Sequence, residues 1–277
     1  MSEHTATQTP TQVLNIAAYK FITLNDLPTW RENLRALAAQ NALKGTILLA
    51  HEGINMFMAG HATQIAAFLS SVRGHAEFAD LAVKESLSAT QPFNRLLVKI
   101  KKEIISLGRP DVDPAQQPAP RLSAPELKAW LDAGRPVLML DTRNTYEVAA
   151  GTFRGALNLG LDNFRSFASR ETEVSARVHA EFAAQHLPAN TPIVSFCTGG
   201  IRCEKAAHLM LKNGFENVYQ LDGGILKYFE ECGHAHYDGD CYVFDQRRAV
   251  DAALAPTELT DFLPGPIPTP VPPSMAK

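Results

Sequence analysis

Cysteine is scarce in this chain. Only Cys197, Cys203, Cys232 and Cys241 occur in 277 residues, too few for a disulfide framework, so each calls for packing, metal binding or reactivity as its reason. No apolar run approaches the ~20 residues a bilayer span needs, which excludes a helical membrane protein. The opening Met1-Ser2-Glu3-His4 has an acid and no basic stretch ahead of an apolar run. No export signal is therefore expected, and the chain is expected in the reducing cytoplasm. There is no excess of positive charge either. Twenty-six basic and 29 acidic side chains leave a net charge of −3, so any nucleic-acid surface must be local. What is present is ordinary globular material, 45% hydrophobic and 20% charged, which excludes wholesale disorder. The length suits two domains at about 150 residues each.

Residues 1–12 are small, polar and aperiodic and read as a loose tail. Apolar spacing then predicts a strand over 13–24, a helix over 30–42, strands over 46–50 and 55–59, a helix over 61–72 and a strand over 95–105. In that last strand Leu96, Val98, Ile100 and Ile104 are expected on one face and Arg95, Lys99, Lys101 and Glu103 on the other. The order βαββαβ implies a ferredoxin-like α+β domain over 13–108. Pro114, Pro118 and Pro120 mark a stiff linker over 109–120. A second domain over 121–248 opens on the capping box Ser123-x-x-Glu126. It alternates strands at 136–140, 193–196 and 218–221 with helices at 173–186 and 203–213, the pattern of a parallel α/β sheet. Residues 249–277 read as a proline-rich tail; seven of the last 22 residues are proline.

The chemistry is concentrated in Pro192-Ile-Val-Ser-Phe-Cys197-Thr-Gly-Gly-Ile-Arg-Cys-Glu-Lys205. A buried strand ends at Cys197, two glycines follow, and a helix begins near Arg202. Such a turn points successive backbone N–H groups inward as an anion cradle, here Thr198, Gly199, Gly200, Ile201 and Arg202. A sulfur at its centre faces the positive end of a helix, which favours the thiolate. Cys-x4-Arg is one residue tighter than the Cys-x5-Arg loop with which tyrosine phosphatases hold phosphate. It suits a cysteine carrying one extra sulfur.

Asp141-Thr-Arg143, Tyr146-Glu147, Gly151-Thr-Phe-Arg-Gly-Ala156, the Cys197–Arg202 loop and Leu221-Asp-Gly-Gly224 together resemble a rhodanese domain over about residues 121–233. Ala50-His-Glu-Gly-Ile-Asn55, Pro92-Phe-Asn-Arg95, Val98-Lys-Ile-Lys-Lys-Glu-Ile104 and Cys241-Tyr-Val-Phe-Asp-Gln-Arg247 extend the match. The whole resembles the bacterial rhodanese-like tRNA uridine hydroxylases, which make 5-hydroxyuridine at the wobble position. The resemblance implies Cys197 as the catalytic residue, the tRNA anticodon loop as partner and molecular oxygen as co-substrate. No flavin, haem or two-His-one-carboxylate signature is visible, and no obligate protein partner is legible. Met56-Phe-Met58 departs from the small or polar residues usual after Gly-Ile-Asn. The proline tail stands where some members carry a longer cysteine-rich C-terminus.

Other features admit two readings. Lys84 to Arg109 holds six basic residues and two acids, a local charge of +4; Arg95, Lys99, Lys101 and Lys102 form either a phosphate track or a solvated sheet face. Cys203 is either a resolving thiol for Cys197 or a core residue. Cys232, His234, His236 and Cys241 are zinc-ligand types at a spacing that is no standard finger, and no metal site is assigned to them. Arg143 and Glu147 are expected to form a structural ion pair. The same cysteine loop serves a persulfide-carrying sulfurtransferase, the alternative function; the basic first domain favours the tRNA enzyme.

Overall fold

The structure is a computed structural model and describes residues 12–257. The first domain comprises β1 (Val13–Phe21), α1 (Leu27–Gln40), β2 (Lys44–Ala50), β3 (Gly53–Gly60), α2 (Ala62–Arg73), β4 (Val83–Ser88) and β5 (Leu96–Ile100). Its sheet runs β4-β1-β3-β2-β5. β1 pairs antiparallel with β3 and β4, and β2 antiparallel with β3. That is the ferredoxin-like arrangement, with β5 added parallel to β2.

Alternation along the strands sorts the residues between the two faces. Ile16, Ala18, Ile47, Leu49, Ile54, Met56 and Met58 turn inward onto α1 and α2 and form the first core. Met56 and Met58 are thus core residues. Ala17, Tyr19, Thr46, Leu48, Asn55 and Phe57 fall on the opposite face, which carries no helix of its own domain and lines a cavity.

Two expectations for this domain need correction. The fourth ferredoxin strand is Val83–Ser88, which pairs with β1. Its sequence, Val-Lys-Glu-Ser-Leu-Ser, is a half-exposed edge strand with too few apolar residues to announce itself. The strand expected over 95–105 ends at Ile100, which is 37% exposed. Ile104 lies beyond the sheet: its N–H bonds Glu52 Oε1 at 2.7 Å and its carbonyl accepts from Asn55 Nδ2 at 3.1 Å.

The second domain contains β6 (Arg121–Leu122), α3 (Ala124–Asp132), β7 (Leu138–Asp141), α4 (Thr145–Val148), β8 (Gly151–Phe153), β9 (Leu157–Asn158), α5 (Arg165–Ser169), α6 (Glu171–Ala184) and β10 (Ile193–Phe196). It continues with α7 (Ile201–Lys212), β11 (Val218–Leu221), α8 (Gly224–Cys232), β12 (Tyr237–Gly239), β13 (Cys241–Tyr242) and β14 (Ala249–Val250). The parallel sheet runs β6-β11-β10-β7-β9 and has an apolar core on each face. The capping box opens α3 as the sequence predicts: Glu126 N–H donates to Ser123 Oγ at 3.4 Å, and Ser123 N–H to Glu126 Oε2 at 3.2 Å. No helix among the described residues is long and apolar enough to cross a membrane.

The segment 109–120 is not a free spacer. Val112 and Ala119 are buried in the second domain's core, as is Leu107 just before it. Arg109 pairs with Asp111 and Glu171, and Lys212 with Asp111. Residues 249–254 belong to the fold and not to a loose tail, contrary to expectation. Ala249–Val250 pairs with Cys241–Tyr242, and Leu254 packs on the core. Residues 1–11 and 258–277 of the two expected tails lie outside the described residues.

The domains meet along one face of α7. Ile201 packs on Ala50 and Ile104. Glu204 accepts from the Tyr19 hydroxyl at 3.1 Å and from Arg121 at 2.7 Å. Lys205, with a side chain 1% exposed, holds Glu52 and Glu103 at 2.8 Å each and donates to Ile105 O at 3.0 Å. The spacing i, i+3, i+4 places all three on one stripe. Replacing Lys205 with Met leaves two carboxylates facing each other without their cation. The expected loss is about 3–5 kcal/mol, measured by denaturant unfolding with the first-domain transition monitored at Trp30. A loss under about 1 kcal/mol would show that the Lys205 ion pairs add little to holding the domains together.

Candidate active site

Cys197 stands at the carboxyl end of β10, where the crevice of an open parallel sheet lies. The loop from Cys197 to Gly200 turns because Gly200 takes φ 95°, a conformation glycine enters without strain. The turn from Leu221 to Gly224 closes over it. Gly224, at φ 67°, comes so near that an added Cβ would lie 2.4 Å from Cys197 O and 2.7 Å from Gly200 N. The first turn of α8 also fixes the loop's polarity: Ile225 N–H donates to Cys197 O at 3.0 Å and Leu226 N–H to Thr198 O at 3.1 Å. With its carbonyls held outward, the loop aims its amides at the sulfur. Gly200 N–H reaches Cys197 Sγ at 3.1 Å.

Cys197 is 1% exposed. Burial pushes its thiol up, but the Cys203 thiol, the Arg202 guanidinium and the Arg202 and Gly200 N–H groups outweigh that and hold it well below the usual thiol range. Cys203 moves the other way. Burial and the neighbouring Cys197 charge raise it, so it remains a thiol that donates to the thiolate. Thr142 Oγ1 lies 3.7 Å from Cys203 Sγ.

Arg202 does not present its fork to the cavity. Its Nη1 and Nη2 bind the two Glu147 oxygens at 2.6 Å each, in a pair that is almost wholly buried. The expected Arg143–Glu147 ion pair is therefore not formed. Arg143 binds Asp141 at 2.6 Å and Gly151 O at 2.6 Å. The i, i+4 rule presupposes one helix, and α4 starts only at Thr145. Thr198 Oγ1 bonds Tyr242 O at 3.2 Å.

The loop floors a cavity of about 490 Å³ between the domains, large enough for a nucleotide. Its roof is the helix-free sheet face, with Tyr19, Asn55 and Phe57. Phe93, Phe164 and Phe244 line its walls, and Lys84 and Lys101 reach it from the first domain. Phe244 is 41% exposed and lies 6.4 Å from Phe57 and 5.8 Å from the Arg202 guanidinium, centroid to group.

Of the basic residues singled out in sequence, Lys101 borders the cavity, while Arg95, Lys99 and Lys102 are exposed along β5 and its flanks. The four zinc-type residues do not gather. His236 binds Asp132 at 2.7 Å, His234 bonds Gly239 O at 3.1 Å, and Cys241 is buried against Tyr242. Among the described residues no group of three or more His, Cys, Asp or Glu is placed to hold a metal. Sequence reasoning gave no role to Tyr19, Lys84, Lys205 or Phe244. Lys84 was visible in the basic stretch; the other three acquire their place only through the docking of the two domains.

Residues 13–104 match the UPF0176 acylphosphatase like domain, and residues 123–231 the rhodanese-like domain. Proteins called tRNA uridine(34) hydroxylase are similar over most of the chain. The one from Cupriavidus metallidurans is 52% identical over 88% of this chain and 85% of its own length. That from Variovorax paradoxus is 51% identical over 88% and 91%, and that from Bordetella pertussis 50% over 89% and 99%.

Alkylation of Cys197 by iodoacetamide should stay fast at neutral pH. It should slow only as pH falls through a midpoint well below the ~8.5 of an unperturbed thiol. A midpoint at or above that value would mean that burial outweighs the loop. In Gly224→Ala the added Cβ must push the loop away, and the midpoint should rise toward that of an ordinary thiol; an unchanged midpoint would free the closing turn from any part in activating the sulfur.

Proposed function

The chain belongs to the tRNA uridine(34) hydroxylase family, and we propose that it converts the wobble uridine 34 of tRNA to 5-hydroxyuridine, with molecular oxygen as co-substrate and Cys197 as the reacting group. The observation that carries this reading is the cavity itself. A thiolate-stabilising loop of the second domain forms its floor, the first domain with its exposed basic residues forms its roof, and its size suits one nucleotide.

The unpaired anticodon loop can present a splayed base to such a cavity. Phe57, Phe93 and Phe244 offer apolar faces for it. Arg95, Lys99, Lys101 and Lys102 hold the flanking phosphates, contacts that position the RNA without reading its sequence. Once the base is seated, the Cys197 thiolate adds to uracil C6, which turns C5 into an enolate-like carbon able to react with oxygen. The Gly200 and Arg202 amides keep the sulfur anionic until it reacts. A sulfurtransferase would use the same loop, but it has no need of a basic domain closing over the cysteine.

Nucleoside mass spectrometry of tRNA from cells lacking the host's own enzyme tests the assignment. With this protein supplied, uridine 34 should gain the mass of one oxygen atom. A thiolated uridine would establish sulfur transfer instead. Cys197→Ser should give no product while keeping the wild-type circular dichroism, since a hydroxyl is far less nucleophilic than a thiolate at neutral pH. Product from that variant would remove Cys197 as the reacting group.

The phosphate track is tested separately. Lys99→Ala combined with Lys102→Ala leaves the cavity wall intact and should flatten the log–log salt dependence of tRNA binding by about 0.7–0.9 per lost contact. An unchanged slope would make this edge a solvated sheet face.

A further inference from the structure

Lys84 is a cation of the cavity that takes no part in activating Cys197 or in the exposed phosphate track. Lys84 is half-buried on β4, directly opposite Ala17 of β1, on the helix-free face that roofs the cavity. Its ammonium lies 4.9 Å from the centroid of the Tyr19 ring. The Tyr19 hydroxyl in turn abuts the active loop, since a Cβ on Gly200 would sit 2.9 Å from it. Lys84 therefore stands beside the loop, and Lys84 and Cys197 line the same cavity.

Among the described residues, Lys84 has no ion-pairing carboxylate and no hydrogen-bond acceptor. Two other cations of the interface are committed. Arg202 has both terminal nitrogens on Glu147, and Lys205 is held by Glu52 and Glu103. The Gly200 amide is taken up by the sulfur. These groups stabilise charge while it resides on sulfur. None of them is left for charge that has moved onto the substrate.

We propose that Lys84 is a catalytic residue of uridine hydroxylation, its ammonium donating a hydrogen bond to uracil O4 as Cys197 adds to C6. The proposal rests on the hydroxylase reading. In the step, a sulfur lone pair forms the S–C6 bond. The C5=C6 π pair becomes the C4=C5 bond, and the C4=O4 π pair moves onto O4. The negative charge that began on Cys197 ends on O4, beside the Lys84 ammonium. No proton leaves the protein and no electron is exchanged with a further reagent. A partly desolvated, preoriented cation acts on developing charge far more strongly than the same group in water. A permanently charged phosphate is better served by Lys101, which is exposed at the rim.

The groups facing Lys84 set when it is charged. Burial lowers its pKa, the charges of Cys197 and Asp222 raise it, and Lys227 and Arg121 lower it, bringing it to about 8. The Tyr19 ring lies beneath it. The ammonium is thus present at neutral pH and is lost as pH rises through that value.

Single-turnover hydroxylation of saturating tRNA by the full chain, as wild type, Lys84→Met and Lys84→Arg, tests the assignment. The wild-type rate should fall above about pH 8. Lys84→Met should lower the maximal rate by about 100-fold or more, as removal of one oxyanion donor does, with the tRNA Kd within about twofold. Lys84→Arg should restore most of the rate and abolish the alkaline fall, because a guanidinium stays charged. An undiminished maximal rate in Lys84→Met overturns the proposal. So does a weakened Kd with the rate at saturation unchanged, which would make Lys84 a phosphate anchor. Failure of Lys84→Arg to exceed Lys84→Met also overturns it, since charge would then not be the relevant property. If the wild type makes no hydroxyuridine, the hydroxylase reading itself falls and takes the proposal with it; product from wild type alongside a fully active Lys84→Met removes only the role of Lys84.

Discussion

One buried cation holds this molecule in its working form. Lys205 is enclosed by Glu52 and Glu103 and the Ile105 carbonyl. It lies on α7, whose first turn completes the Cys197 loop. The helix that supplies the loop's positive end is therefore also the helix on which the first domain is bolted. Separating the domains would break both of these ion pairs together with the hydrogen bond to Ile105 O. The cavity persists because its roof and floor are fastened through the same element.

The second organising feature is a division of labour among charges. Glu147 occupies the Arg202 fork, so Arg202 is fixed in place and acts on Cys197 at short range. The loop carbonyls are drawn outward by the first amides of α8, which leaves amides facing the sulfur. The sulfur is held as an anion by groups that have no freedom to follow the charge elsewhere. Stabilising charge on the substrate then falls to the first domain, the only side of the cavity with uncommitted cations among the described residues.

Much of this was legible in the sequence, for identifiable reasons. The Ser123-x-x-Glu126 box, the apolar strand ending at Cys197 and the glycines after it are local signals whose physics is complete within a few residues. The faces of β1, β2 and β3 follow from strict alternation. What escaped depends on partners distant in sequence. Val83–Ser88 is an edge strand defined by its pairing with β1, since it carries little apolar pattern of its own. Residues 102–104 continue the alternation of β5 but leave the sheet, with Ile104 bound by Glu52 and Asn55 instead. The prolines of 109–120 suggested a spacer, yet Val112 and Ala119 bury themselves in the second domain's core. Glu147 chose Arg202, 55 positions away, over Arg143, four away; no spacing rule reaches that far.

In the proposed reaction the Cys197 thiolate attacks C6 of the uridine seated in the interdomain cavity. This attack is tested most directly by mixing the protein without oxygen with tRNA bearing 5-fluorouridine at position 34, then identifying any adduct that survives denaturation by mass spectrometry of the digested complex. One covalent link is expected, joining Cys197 to the pyrimidine. A link to any other residue, or no adduct although the tRNA is bound, would contradict it.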